Sequence, residues 1–87
     1  MFLHAGNHIS VKKDEIIGIF DLDTASMAKT TRDFLSNAEK KGSVINVSSE
    51  LPKSFIVSKK RNQTTVYISP ISAQTLTERY KDSLESK

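Results

Sequence analysis

Two β-rich runs in the second half of the chain dominate the pattern of apolar and polar positions. Residues 54–59 and 64–70 are rich in β-branched and aromatic side chains, and four polar residues, 60–63, separate them. Two such runs around a short polar connection are typical of a β-hairpin. We therefore predict a hairpin, and its tip is basic because Lys59, Lys60 and Arg61 follow one another there.

The first half of the chain contains further short apolar runs. Residues 2–5 and 9–12 predict two strands joined around Gly6-Asn7, a dipeptide that tolerates the positive φ of a tight turn. Residues 16–22 are almost continuously apolar, as in a strand that is covered on both faces. We predict that this run is the central strand of the sheet.

Two segments show helical periodicity. The segment 25–41 repeats apolar or small residues along one face: Met27, Thr31, Phe34, Leu35 and Ala38. Asp23 or Thr24 can cap this helix at its start, and Gly42 can end it. The second helix is predicted to begin at Ser72 as its N-cap, with Ile71 and Leu76 placed to form a hydrophobic staple. Its inner face comprises Ala73, Leu76, Tyr80 and Leu84.

These elements predict one α+β domain over residues 1–87, in the order ββ-β-α-β-ββ-α. Residues 44–47 supply the strand between the first helix and the hairpin. We expect a twisted, mainly antiparallel sheet of about five to six strands with two helices. A chain of 87 residues is just long enough for one hydrophobic core.

Composition narrows the possible functions. The chain has no cysteine, so disulfide and thiolate chemistry are excluded. No apolar stretch approaches the roughly 20 residues that cross a bilayer, and the N-terminus lacks a signal-like pattern, so we expect a cytoplasmic protein without a membrane partner. We find no nucleophile elbow or glycine-rich phosphate loop, and we predict a non-enzyme with no cofactor and no small-molecule substrate.

One stretch resembles a catalytic motif. The apolar run 16–20 followed by Asp21 and Asp23 is similar to the first motif of haloacid-dehalogenase-type phosphatases, in which the first carboxylate attacks phosphorus. Ala25 stands where that family has Thr or Val, and the later lysine and acidic pair have no good counterpart. We therefore interpret Asp23 as a helix cap.

Two histidines form a second candidate site, in this case for a metal ion. His4 and His8 could face each other across the first predicted hairpin. Two imidazoles without a third ligand make a poor zinc site, so we predict no metal centre.

The basic residues are unevenly distributed. Residues 1–50 contain six Lys/Arg against seven Asp/Glu, whereas residues 51–87 contain seven against three. A cationic surface of this kind favours an anionic partner, most commonly nucleic acid, although it can equally serve as a solubilising hairpin tip. The candidate phosphate contacts are Lys53, Lys59, Lys60, Arg61, Lys12 and Lys13.

Four blocks of sequence carry a resemblance that spans nearly the whole chain. They are Met1-Phe2-Leu3-His4, residues 15–22, residues 51–57, and residues 66–72 with Thr75-Leu76. In this order they resemble the small bacterial RemB-like proteins of the RemA/RemB family of extracellular matrix regulators. For RemA the family picture is a ring-forming, DNA-binding activator of biofilm-matrix genes that presents arginines to duplex DNA.

Only part of the DNA-binding surface of RemA has a counterpart in this sequence. In the loop where RemA has several arginines, this chain has Glu50-Leu51-Pro52-Lys53, so Lys53 alone keeps the positive charge. A basic residue that RemA has before its long apolar strand corresponds to Glu15 here. Each lost phosphate contact removes about 0.9 from the salt slope of duplex binding.

Two hypotheses follow from the sequence. The first is a non-enzymatic, homo-oligomeric DNA-binding regulator that contacts the phosphates of duplex DNA through the basic hairpin tip, with a ring as the assembly that the resemblance implies. The second is an oligomeric scaffold or protein-interaction module of the same fold that does not bind DNA. Repetition of a sparse cationic patch in an oligomer would strengthen the first, because each additional contact is then made at high effective concentration.

Overall fold

Six strands and two helices make up the regular structure in the part of the chain that is described. The computed structural model describes residues 1–22 and 28–85, with side chains for residues 1–22 and 28–81. The elements in chain order are β1 (Phe2–Gly6), β2 (Ile9–Lys12), a 3₁₀ turn (Lys13–Glu15), β3 (Ile16–Asp21), α1 (Lys29–Lys40), β4 (Val44–Asn46), β5 (Ser54–Lys60), β6 (Gln63–Ser69) and α2 (Ala73–Glu85). The predicted α+β class and element order are confirmed.

The strands form two sheets. β1 and β2 pair antiparallel as a separate two-stranded sheet, and the other four strands form a sheet in the order β3-β5-β6-β4. In the larger sheet β4 runs parallel to β6, whereas the other neighbouring pairs are antiparallel. The mainly antiparallel arrangement agrees with the prediction, but the strands belong to two sheets because β1 and β2 lie across the larger one.

The larger sheet lies between two layers. On one face, Ala38 of α1 packs in a cluster with the buried sheet residues Phe55, Val57 and Val66. On the other face, α2 and the β1–β2 sheet enclose a second cluster, Leu3, Ala5, Val11, Val47, Ile56 and Leu76. The alternation of side chains along β5 therefore supplies both cores.

The interior strands of the larger sheet are β5 and β6, of which β5 is the more completely buried, and this corrects the prediction of residues 16–22 as the central strand. All residues from Ser54 to Ser58 are buried, because β3 and β6 flank this strand and both layers cover it. The apolar strand β3 lies at an edge of the sheet, and Ile17 is 62% exposed and Phe20 40% exposed. A continuous apolar run therefore did not identify the central position.

Both hairpins turn through two residues with positive φ, as in a type I′ turn. In the β5–β6 hairpin these are Arg61 (φ 52°) and Asn62 (φ 68°), so the strands extend one residue further on each side than the sequence predicted. In the β1–β2 hairpin they are Asn7 and His8, and Gly6 lies at the register shift that precedes them. The Asn7 side-chain amide donates to the carbonyl of Val47 at 3.0 Å, which ties this turn to the larger sheet.

Helix α1 ends where the sequence predicted. Gly42 has φ 71°, its N–H donates to the Glu39 carbonyl at 3.0 Å, and the Ser43 N–H donates to Ala38 at 2.9 Å. This pair of bonds is a Schellman motif. The start of α1 differs from the prediction of residue 25, because the helix begins at Lys29 with Ala28 as its N-cap and without a side-chain cap. The proposed caps Asp23 and Thr24, together with Met27, lie outside the described residues.

Helix α2 is capped by Ser72, as predicted. The Thr75 N–H donates to the Ser72 hydroxyl at 3.2 Å, and Leu76 is fully buried in the cluster against which Ile71 also packs. Neither α1 nor α2 is long and apolar enough to cross a membrane, in the part of the chain described.

Candidate nucleic-acid interface

The six candidate cations are not gathered on one surface. Lys59 and Lys60 end β5, and Arg61 lies in the adjoining turn, so these three residues share the exposed hairpin tip. Lys53 lies just before the other end of β5, about 20 Å away at the usual rise of a strand. Its backbone is fixed there, since its N–H donates to Ser69 and its carbonyl accepts from Leu22. Lys53 and the tip are therefore separate cationic positions.

The two lysines of the tip point to opposite faces of the sheet. Phe55 and Val57 contribute to the core under α1, so alternation places Lys59 on that same face. Ile56 contributes to the core under α2, which places Ser58 and Lys60 on the other face. The three consecutive cations consequently surround the tip instead of forming one flat patch.

Lys60 has an acidic neighbour. Its ammonium lies 3.9 Å from the Glu15 carboxylate, and the side chains of Lys60 and Glu15 are 62% and 24% exposed. At this distance, and with the Lys60 side solvated, the pair contributes little to stability and is screened by salt. Glu15 nonetheless lowers the net positive charge on this side of the tip.

Lys13 is buried, which corrects its prediction as a surface contact. Only 4% of the residue is exposed. Its ammonium donates to the carbonyls of Tyr80 (2.8 Å) and Arg79 (3.4 Å) and lies 5.1 Å from the centre of the Tyr80 ring. Lys13 therefore joins the 3₁₀ turn to α2, whereas its neighbour Lys12 is exposed at the end of β2.

An apolar surface accompanies the edge strand, and the sequence analysis did not predict it. Ile17 and Phe20 on β3 and Phe34 on α1, which is 39% exposed, line a groove of about 290 Å³. We call these three residues the apolar edge. The Phe20 ring stacks on Phe55 with centroids 5.0 Å apart, and it occupies the space that a Cβ on Gly18 would need. The absence of a side chain at Gly18 thus allows this close packing.

The other sites considered from the sequence remain weak. In β1, His4 lies opposite Ser10, while His8 is in the turn, and both are exposed. Asp21 ends the edge strand, and Asp23 lies outside the described residues. Among residues 1–22 and 28–85, no group of three or more His, Asp or Glu could hold a metal ion.

The fold and surface define a small α+β protein with a cationic hairpin tip and an exposed apolar edge. Residues 2–80 match the family described as RemA-like, extracellular matrix regulatory protein A-like. The chain is also 33% identical over 79 residues to extracellular matrix regulatory protein B of Bacillus subtilis (strain 168), which covers 91% of this chain and 89% of that protein. The chain belongs to the RemA-like family, and the resemblance seen in the sequence blocks is confirmed.

Proposed function

We propose that this protein is a non-enzymatic, oligomeric regulator of extracellular matrix production that acts by binding the phosphates of duplex DNA. Family membership supports the regulatory role. The observation that supports DNA as the partner is the exposed group Lys59, Lys60 and Arg61, held on a two-residue turn at the end of two long strands. Such a tip contacts backbone phosphates and positions the protein without reading bases.

The proposal requires oligomerisation because one tip carries few cations. One tip with three cations makes at most about three phosphate contacts. Each neutralised phosphate contributes about 0.9 to the salt slope of binding to duplex DNA. A symmetric oligomer repeats the tip and makes the later contacts intramolecular. Affinity would then rise without any additional type of contact.

The apolar edge is the surface that we assign to self-association. The outer side of β3 has no partner strand among the described residues, and it carries the exposed side chains Ile17 and Phe20. Edge strands of this kind readily pair with another chain unless they are covered. Burial of the apolar edge against a second copy would remove both features from water.

A second candidate function is an oligomeric scaffold that does not bind DNA. The pairing of Lys60 with Glu15 and the burial of Lys13 favour it, since both reduce the cationic surface that is available to phosphates. The apolar edge serves self-association equally well under this alternative.

A gel-retardation series over increasing salt separates the two candidates. The wild type is compared with a Lys59/Lys60/Arg61→Gln variant and with a matched control, Lys29/Arg32/Lys40→Gln, which removes three exposed cations from α1. We expect the tip variant to lose at least tenfold in affinity and to show a shallower salt dependence, while the control stays within about threefold. No retardation of an assembled wild type at low salt would refute DNA binding, and equal losses in both variants would refute the tip as its site.

Self-association is tested by light scattering on an Ile17→Lys variant. We expect its mass to fall to that of the monomer, because a charge placed in the apolar edge would have to be buried on association. Leu51→Lys is the control, since Leu51 is 80% exposed and lies in the loop before β5, away from the groove. An unchanged mass for Ile17→Lys would exclude the apolar edge as the interface.

A further inference from the structure

A polar recess opens on the α2 face of the β5–β6 hairpin, beyond the end of the hydrophobic cluster. It measures about 360 Å³, and its walls comprise Glu15, Ser58, Lys60, Arg61, Gln63, Thr65 and Tyr67. We propose that this recess binds the phosphate group of a small ligand, either free phosphate or a phosphate ester. The recess shares Lys60 and Arg61 with the tip that we propose as the DNA contact, but it adds Ser58, Gln63 and Thr65. The proposal stands whether or not the chain binds DNA.

The register of the hairpin brings the donors of the recess together. Ser58 lies directly opposite Thr65, and Lys60 lies directly opposite Gln63. Directly paired side chains on one face of a sheet have Cβ atoms about 5 Å apart, and successive pairs on that face are separated by roughly 7 Å. Two hydroxyls, an amide and an ammonium therefore surround an area that one phosphate can bridge with hydrogen bonds of about 2.8 Å.

Ser58 marks the inner wall of the recess. The residue is only 5% exposed, and its hydroxyl makes no hydrogen bond to any other described residue. The oxygen keeps some contact with solvent, and the residue lines the recess. Water satisfies this hydroxyl in the free protein, and an oxygen of a bound phosphate could take the place of that water.

The charges at the mouth of the recess favour an anion of higher charge than a carboxylate. Lys60 and Arg61 bring two positive charges, and Glu15 brings one negative charge 3.9 Å from the Lys60 ammonium. That ion pair is long and its Lys60 side is solvated, so Lys60 can turn to a bound phosphate, whereas Glu15, only 24% exposed, then loses part of its charge compensation. Arg61 adds a planar donor that matches two phosphate oxygens. Glu15 consequently limits the affinity without preventing binding.

The position of Ser58 favours a small ligand over a duplex. Ser58 lines a concave site and is 5% exposed, whereas Lys59 and Arg61 are exposed residues of the tip. A free phosphate or the terminal phosphate of a small ester can enter the recess. A duplex phosphodiester presents the same group, so the experiment must separate the two sources.

The binding is tested by NMR titration of the backbone amides with inorganic phosphate and with ribose 5-phosphate. Sodium chloride at matched ionic strength is the reference. We expect saturable shifts at Ser58 and Thr65 with both phosphates and none with chloride. Shifts that do not saturate, or that match the chloride reference, would overturn the proposal.

Matched variants locate the site. Ser58→Ala and Lys60→Gln are each expected to weaken phosphate binding about tenfold, the usual effect of losing a hydrogen bond to a charged group. Lys59→Gln removes the same charge from the opposite face and is expected to change the affinity less than twofold. Glu15→Gln is expected to tighten binding about threefold, a gain that a destabilised protein would not produce. Equal losses for Lys59→Gln and Lys60→Gln would contradict the assignment.

Gel retardation with Ser58→Ala distinguishes the two sources of phosphate. We expect this variant to retard duplex DNA as the wild type does, since the DNA contact involves the exposed cations. If Ser58→Ala weakened DNA binding and phosphate binding by the same factor, the recess would be part of the DNA site, and the assignment to a small ligand would be wrong.

Discussion

The neighbouring strands β3 and β5 have similar apolar sequences but different environments. β5 lies inside the sheet with both faces covered, so its five residues from Ser54 to Ser58 are buried. β3 lies at the edge, and Ile17 and Phe20 remain exposed. An apolar run thus indicates that burial of the strand is favourable. It does not specify whether the covering surface comes from the same chain or from another molecule.

The largest expected effect in this comparison is the loss of protein stability when a buried side chain of β5 is truncated. Ile56→Ala is expected to lower the free energy of unfolding by about 2–5 kcal/mol, because Ile56 is fully buried and its truncation leaves a cavity. Ile17→Ala, its counterpart in β3, is expected to cost less than about 0.5 kcal/mol in the monomer. Urea unfolding at low protein concentration measures both values. Equal costs would mean that β3 is covered within the monomer.

Lys12 and Lys13 offer the same comparison of an exposed with a buried position, here between two adjacent lysines. Lys13→Ala is expected to lower the free energy of unfolding by about 1–3 kcal/mol, because it removes two hydrogen bonds to α2 and the packing of a buried side chain. Lys12→Ala, at an exposed position, should stay within about 0.5 kcal/mol. Thermal unfolding of the two variants checks the difference, and similar midpoints would show that the buried ammonium contributes nothing net.

The smallest effect concerns the turn that joins the covered strand to the cationic tip. Asn62→Gly is expected to raise the free energy of unfolding by up to about 1 kcal/mol, because Asn62 has φ 68° and glycine adopts this conformation without steric cost. Gln63→Gly, one residue further in β6, should instead lower it by about 0.5–1 kcal/mol. Chemical denaturation of both proteins gives the two signs, and a loss of stability in both would contradict the turn geometry.

Local signals in the sequence were sufficient to predict most of the secondary structure. Gly42 ends α1 and Ser72 caps α2 because a left-handed glycine and an N-cap serine act within a few residues of their own position. The hairpins were also predictable, although both turns lie within a residue or two of the predicted centre. Their exact position depends on strand register, which cross-strand packing fixes.

The candidate site was predicted less well than the secondary structure, because its contacts also depend on the packing of distant segments. The cluster Lys59, Lys60 and Arg61 could be seen directly because the three residues are consecutive. The approach of Glu15 to Lys60 and the burial of Lys13 against Tyr80 join residues that are 45 and 67 positions apart. Contacts over such separations depend on how the layers pack, and no local pattern encodes them.

The sequence alone therefore determined the α+β class, the order of the elements, the family resemblance and the basic character of the β5–β6 tip. Only the tertiary structure decided that β5 and β6 are the interior strands, that β1 and β2 form a second sheet, and that Lys59 and Lys60 face opposite sides. The physical reason is that caps, turns and apolar periods act over a few residues. The neighbours of a strand, by contrast, are chosen by the burial of whole faces, to which distant segments contribute together.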